Sequence, residues 1–306
     1  MKYCALGEMQ ASSIVMGCMR IAGKPLREIE KVIIEAQKAG VNMFDNADIY
    51  GGGDCERVFG VAMKDLGVAR QDYLVQTKCG IRRSANGAWF DFSAEHIINS
   101  VENSLKRLNM EYIDVYLLHR PDTLVEPEEV AAAFDKLRQE GKVRAFGVSN
   151  SSAGQMELLR KYGVNVVANQ MQFSLMHTPM IDAGFNVNMY AEASISRAGD
   201  ALEYCRLHDI ALQAWSPMLY GFFEGVFVGN DKFPEVNNML NAYAEKYNCT
   251  PATIAIAWIL RHPAFKQVVT GTTTPEHMRE MCQAADIQLT REEWYEIYLS
   301  PNRVLP

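Results

Sequence analysis

The sequence predicts a (β/α)₈ barrel, and three observations carry the prediction. Short apolar runs alternate with amphipathic helical stretches along all 306 residues. Eight strand–helix units fit that length, since such barrels run from about 200 to beyond 400 residues. No Gly-x-Gly-x-x-Gly follows the first strand, whereas an open doubly wound sheet, which alternates in the same way, would offer one. No Pro-, Gly- or Ser-rich linker divides the chain, so residues 1–306 read as one domain.

The elements follow in order. Ser13–Met16 is the first strand, and Ile29, Val32, Ile33 and Ala36 share one face of the helix after it. Val41–Phe44 and Tyr73–Val75 are the second and third strands, with Ile97, Val101, Leu105 and Leu108 forming the next helical stripe. Ile113–Leu118 is the fourth, followed by Val130, Phe134 and Leu137 on a helix whose first position is Pro127. Val143–Val148, Val164–Ala168, Ile210–Trp215 and Gln267–Thr270 complete the set. Most of these runs are apolar almost throughout, as strands buried on both faces of a parallel sheet are. Pro251 and Pro275 follow Thr250 and Thr274, each a cap before a first-turn proline, and Thr290 with Glu293 has capping-box spacing.

Composition excludes several classes. Residues are 48% hydrophobic and 22% charged, an ordinary globular balance. A net charge of −7 without long single-sign runs argues against nucleic acid or an anionic membrane as the main partner. No stretch of eighteen apolar residues occurs, and Met1–Gln10 lacks a signal-peptide core, so a cytoplasmic protein is expected. Seven scattered cysteines, never spaced Cys-x-x-Cys, fit neither a disulfide framework nor a zinc site, and no metal is expected.

Extra length falls after strands three, six and seven, at residues 79–92, 171–197 and 217–233. Loops that follow strands lie on the catalytic face of a barrel. Their aromatics (Trp89, Phe90, Phe92, Phe173, Tyr190, Phe222, Phe223 and Phe227) are expected to wall a substrate pocket, the alternative being loops folded over themselves.

Polar residues cluster at three consecutive strand ends: Asp45 with Tyr50 beyond it, Lys78, and His119. Singly each has a bland alternative, Asp45 as a turn cap, Lys78 as a solvated loop lysine and His119 as a satisfied core histidine; together they suit carbonyl reduction. Reduction leaves an alkoxide that needs a proton. A phenol, Tyr50, is an acid with an ordinary pKa near 10, which the Lys78 ammonium would lower. Asp45 would hold that ammonium charged, and His119 would orient the carbonyl.

FDNADIYG, QTK and LLHRPD closely resemble segments of the aldo-keto reductases, as do GKVRAFGVSN, VANQ and AWSP further along the chain. The resemblance implies a (β/α)₈ barrel, a nicotinamide cofactor bound without a Rossmann domain, and the tetrad Asp45, Tyr50, Lys78 and His119. It places Ser149, Asn150 and Gln170 on the nicotinamide carboxamide, although Ser149 and Asn150 also suit helix capping. Trp215 stands where a stacking Tyr is common. AWSPMLYG is similar to the corresponding segment of potassium-channel β subunits, which implies that Ser216, Pro217, Met218, Leu219 and Gly221 follow the pyrophosphate. Gly17 and Met19, after strand one, fall on the cofactor side, and Asp45 borders it.

Two departures from the family's pattern bear on specificity. Many members grip the NADP(H) 2′-phosphate with a Lys-Ser pair and an Arg where this chain has Gly271, Thr272 and His277. The amino terminus of the following helix, the hydroxyls of Thr272 and Thr273, and Arg279 are expected to compensate, giving NADP(H), with NAD(H) possible. Arg120 replaces the Trp that often follows the His, so the substrate pocket is assigned to Met19, Trp89 and Arg120, with Arg20 nearby. The expected function is NAD(P)H-dependent reduction of a small carbonyl substrate. The alternatives are a cofactor-binding redox sensor or scaffold subunit with slow turnover, and an unrelated phosphate-binding barrel. Substrate identity and oligomeric state are not legible.

Overall fold

The computed structural model describes residues 1–306. Eight parallel strands close into a barrel: β1 (Ile14–Gly17), β2 (Met43–Asp45), β3 (Leu74–Cys79), β4 (Ile113–Leu118), β5 (Val143–Ser149), β6 (Val166–Gln172), β7 (Ala211–Trp215) and β8 (Phe265–Thr270). Each pairs with its neighbour in sequence, and β8 returns to β1 through Val268–Ile14 and Thr270–Met16. Helices α1 (Leu26–Lys38), α2 (Asp54–Asp65), α3 (Ala94–Leu108), α4 (Pro127–Gln139), α5 (Ala153–Lys161), α6 (Ala201–Leu207), α7 (Pro251–Arg261) and α8 (Pro275–Cys282) follow the strands. Closure rules out the open sheet.

Several strands run further than their apolar cores suggest. β3 continues through Gln76, Thr77 and Lys78 to Cys79, and β6 through Asn169 and Gln170 to Gln172. Gln76, Thr77, Lys78, Asn169 and Gln170 are buried, each hydrogen-bonded, and Gln172 is partly buried, because this layer of the barrel is hydrogen-bonded rather than apolar. An apolar-run criterion therefore stops too early.

Two cores hold the architecture. One of 67 buried residues lies largely where strands meet helices, and contains the stripes Ile29–Val32–Ile33 and Ile97–Val101–Leu108. A second, of 13 residues, fills the lower barrel. Leu6 and Met9, from an antiparallel hairpin formed by Tyr3–Leu6 and Met9–Ser12, belong to it and plug the end opposite the catalytic face.

Of the expected caps, Thr250 accepts from the Thr253 amide, and Thr290 with Glu293 forms the reciprocal box. Thr274 occupies its cap position without a side-chain bond. Antiparallel hairpins at Ile81–Ser84 with Gly87–Phe90 and at Leu219–Tyr220 with Gly225–Val226 account for part of the extra length after β3 and β7. No helix is long and apolar enough to cross a membrane.

Candidate active site

The carboxyl ends of β2, β3 and β4 lie side by side in the barrel, so Asp45, Lys78 and His119 meet on one rim. Lys78 is fully buried, and its ammonium uses all three protons. It donates to Asp45 Oδ2 at 2.7 Å, to the Asn46 carbonyl at 2.7 Å and to the Tyr50 hydroxyl at 3.2 Å. Tyr50 is delivered by Gly51, Gly52 and Gly53, whose φ values of 56°, 66° and 95° fold the chain sharply before α2. A side chain at residue 53 would also strike Arg107, its Cβ coming within 2.8 Å of that Cδ. The His119 ring meets Tyr50 edge-on at 5.7 Å between centroids, and its buried Nδ1 has no protein partner.

Burial governs the protonation states. It raises the Tyr50 pKa above its ordinary value, and Lys78, although it pulls the other way, does not reverse this. The expectation of a lowered phenol pKa is thus corrected: desolvation of the phenolate outweighs one ammonium that Asp45 already shares. For Lys78, burial pulls the pKa down, but Asp45 and Tyr50 more than offset it and the ammonium is held charged. His119 is driven well below the ordinary imidazole value by burial and then by Lys78 and Arg120, so its ring is neutral.

Beneath Asp45 lies a belt of buried amides that the apolar-run reading missed. Gln76 and Gln170 each donate to Asp45 Oδ1, at 2.6 and 3.0 Å, and each also donates to Gln213 Oε1. Gln213 returns a bond to Gln76 and extends the chain to Gln267. Asp45 is thereby fixed from below while Lys78 fixes it from above. A glutamine within each of β3, β6, β7 and β8 was the available signal, but their convergence needs the barrel to close.

A cavity of about 1090 Å³ opens above these groups. Ser149, Asn150, Gln170 and Trp215 line one side. Ser149 Oγ donates to the Gln170 carbonyl at 2.8 Å and accepts from Asn150 Nδ2 at 2.7 Å, and Trp215 Nε1 donates to Asn150 Oδ1 at 3.1 Å. Ser149 and Asn150 do not cap α5. Ser152 does so in a capping box with Gln155, because Ser149 is still in β5 and Asn150 is left-handed at φ 56°. Ser216, Pro217, Met218 and Leu219 continue the lining, whereas Gly221 lies outside it, its carbonyl accepting from Gln172.

Gly17, Met19, Gly271, Thr272 and His277 line the β8 side. Thr273 and Arg279 do not. Arg279 lies two residues, about 200° of helix, beyond His277, so it turns outward to Glu35 of α1 at 3.8 Å. Glu280 and Met281, three and four residues beyond His277, face the cavity instead. The cation at this side is Arg20, whose Nη1 lies 3.4 Å from the Gly271 carbonyl.

On the outer side Met19 and Arg120 line the cavity, and Trp89 does not. Trp89 and Phe90 stand exposed on the hairpin, whose Ile81 and Arg83 reach the cavity in their place. Of the other expected wall aromatics, Phe222 and Phe223 line it. Phe173 is stacked in the core on Trp258 and Phe265, Phe92 and Phe227 are buried elsewhere, and Tyr190 is fully exposed.

The family model described as "Aldo/keto reductase family" matches residues 13–298. The chain is 33% identical over 294 residues to the oxidoreductase YdhF of Escherichia coli, covering 94% of this chain and 92% of that one. It is 32% identical over 310 residues to a 6-dehydroglucose reductase of Agrobacterium fabrum, covering 97% of each. Its fold matches the crystal structure of the thermostable aldo-keto reductase Tm1743 bound to the inhibitor epalrestat, with a TM-score of 0.76 and 26% identity over 98% of this chain and 100% of that one.

Proposed function

The chain belongs to the aldo/keto reductase family, and on that premise we propose that it reduces an aldehyde or ketone to an alcohol with a nicotinamide cofactor, Tyr50 donating the proton. The observation that carries this reading is the Lys78 ammonium, bonded at once to Asp45 and to the Tyr50 hydroxyl at the cavity floor. The oxidoreductases of this family use a nicotinamide cofactor, and the cavity suits one. Its volume of about 1090 Å³ exceeds that of most single-ligand pockets, and Gln170 Nε2 is spent on Asp45 and Gln213 while its Oε1 accepts no protein bond. Ser149, Asn150 and Gln170 would hold the carboxamide, Trp215 would carry the ring face, and 216–219 would follow the pyrophosphate. Bound there, the reduced nicotinamide supplies the hydride.

The chain's own residues then have separable tasks. Neutral His119 and Tyr50 orient the carbonyl oxygen by hydrogen bonding. As charge develops on that oxygen, the Tyr50 hydroxyl transfers its proton, and the Lys78 ammonium stabilises the phenolate left behind. Asp45 keeps Lys78 charged and aimed. A phenol whose proton is held at neutral pH serves as a donor, which agrees with the direction of its shift.

For the cofactor's adenosine end, His277, Glu280 and Arg20 stand where a 2′-phosphate would otherwise meet two strong cations. We infer NADPH use with narrow discrimination against NADH, the residual preference resting on Arg20 rather than Arg279. Steady-state oxidation of NADPH and NADH against a panel of small aldehydes, ketones and sugars tests the reading. Absence of carbonyl-dependent oxidation of either cofactor overturns it.

A further inference from the structure

Arginines gather at the cavity mouth of a chain whose net charge is −7. Arg120 directly follows His119 after β4, and Arg83 stands on the hairpin after the neighbouring strand β3. Along that hairpin the two arginines part. Arg82 pairs with Asp91 at 2.8 Å and lies over Trp89 at 5.4 Å. Strand alternation turns the next residue to the opposite face, so Arg83 looks into the cavity, where it has no ion-pair partner.

Arg120 has no carboxylate partner either. Ring faces hold it, its guanidinium carbon lying 5.6 Å from the Trp215 centroid and 5.9 Å from Phe222. Stacking occupies the faces of a guanidinium and leaves its in-plane donors free for a ligand. The carboxylates that line the cavity are committed or distant. Asp45 is taken by Lys78 and two glutamines. Glu280 belongs to the helix after β8, which is diametrically across the barrel from β4. Two cations beside the groups that orient the carbonyl therefore lack counter-charge.

We propose that the substrate carries an anion, a carboxylate or a phosphate, within a few bonds of the reacting carbonyl, and that Arg120, assisted by Arg83, receives it. The proposal rests on the carbonyl-reductase reading of the site. Because Arg120 adjoins His119, a carbonyl oxygen held by His119 and Tyr50 places its substituent toward the guanidinium. The planar donor fork accepts two carboxylate or phosphate oxygens at once. A neutral analogue leaves those donors unpaired, so the site selects against it as well as for the anion.

Matched pairs test this: succinic semialdehyde against butanal for the carboxylate, and dihydroxyacetone phosphate against dihydroxyacetone for the phosphate. For at least one pair, kcat/KM should favour the anionic member by about tenfold or more, the scale of one charge-assisted contact. In Arg120→Gln that ratio should fall about tenfold. In Arg83→Gln it should fall less, with the difference disappearing at high salt because Arg83 is exposed. Turnover of the neutral members without any anion preference in either pair overturns this proposal and leaves the carbonyl-reductase reading standing.

A binding arm is independent of turnover. Succinate and inorganic phosphate, titrated into cofactor-saturated protein, should quench tryptophan fluorescence, with about tenfold weaker binding in Arg120→Gln. Equal binding by wild type and variant overturns the proposal. Loss of affinity in the variant upholds the anion site even in a protein that turns over none of the four carbonyls, and failure across the whole carbonyl panel would then overturn the function alone.

Discussion

In the proposed reduction, Tyr50 has to keep its proton until a carbonyl oxygen takes on charge. Burial secures the first condition and Lys78 at 3.2 Å the second. Tyr50→Phe is expected to lower kcat by about 10²–10⁴-fold, the range for a general acid, with the cofactor dissociation constant nearly unchanged by tryptophan fluorescence. The Asp45–Lys78 pair lies out of solvent, and removing one partner strands the other charge at a cost of about 3–5 kcal/mol. Asp45→Asn should thus lose activity and melt early, and denaturant unfolding measures both the size and the sign. Asp48, in the same turn, has a buried Oδ1 without a partner, and burial with nearby Glu56 lifts its pKa to about 7. A carboxyl raised on folding binds more protons folded than unfolded, so its penalty grows as pH climbs from about 4 to about 7 and persists above. Asp48→Asn should therefore raise Tm at pH 8 and leave it unaltered near pH 4.

Helix α8 shows how spacing decides which residue serves a site. His277, Glu280 and Met281 share the face toward the cavity, and Arg279 is turned to Glu35. Arg279→Ala is accordingly expected to leave the ratio of NADPH to NADH dissociation constants unchanged, whereas Arg20→Ala should raise it toward parity. Strands β3, β6, β7 and β8 are joined by Gln76, Gln170, Gln213 and Gln267, with Gln213 bonded to the other three. Gln213→Met leaves buried amide groups on its neighbours unsatisfied, at about 1–3 kcal/mol for each group so stranded. Chemical denaturation gives that loss, and a matching fall in kcat would show that Asp45 is aimed through the belt.

Across the whole molecule, stability and chemistry occupy opposite ends of one barrel. The amino-terminal hairpin seals the lower interior through Leu6 and Met9, and the tetrad and cavity crown the upper rim. Leu6 is fully buried, so Leu6→Ala should cost about 2–5 kcal/mol in unfolding free energy. Since no cavity-lining residue belongs to that cluster apart from Val269, kcat/KM of the folded variant should stay near wild type. A parallel loss of activity at low temperature would show that the two ends are coupled.

Local patterns determined the barrel and the membership of its floor. Eight apolar runs with intervening helical stripes specify strands and helices through periodicity alone, and residues at or just past a strand end emerge on the catalytic face, which is why Asp45, Tyr50, Lys78 and His119 were legible as a group though not one by one. Helical spacing also contains the outward turn of Arg279, two residues beyond His277 on α8. Closure decided the rest. The glutamine belt spans 137 residues between Gln76 and Gln213, and no local signal pairs positions so far apart. The wall aromatics sorted themselves by the paths of three long loops, which put Phe173 in the core and Trp89 outside while bringing Arg83 and Phe223 to the cavity. A strand or helix is set by neighbours along the chain, whereas a loop side chain takes its place from what the folded barrel leaves for it to pack against.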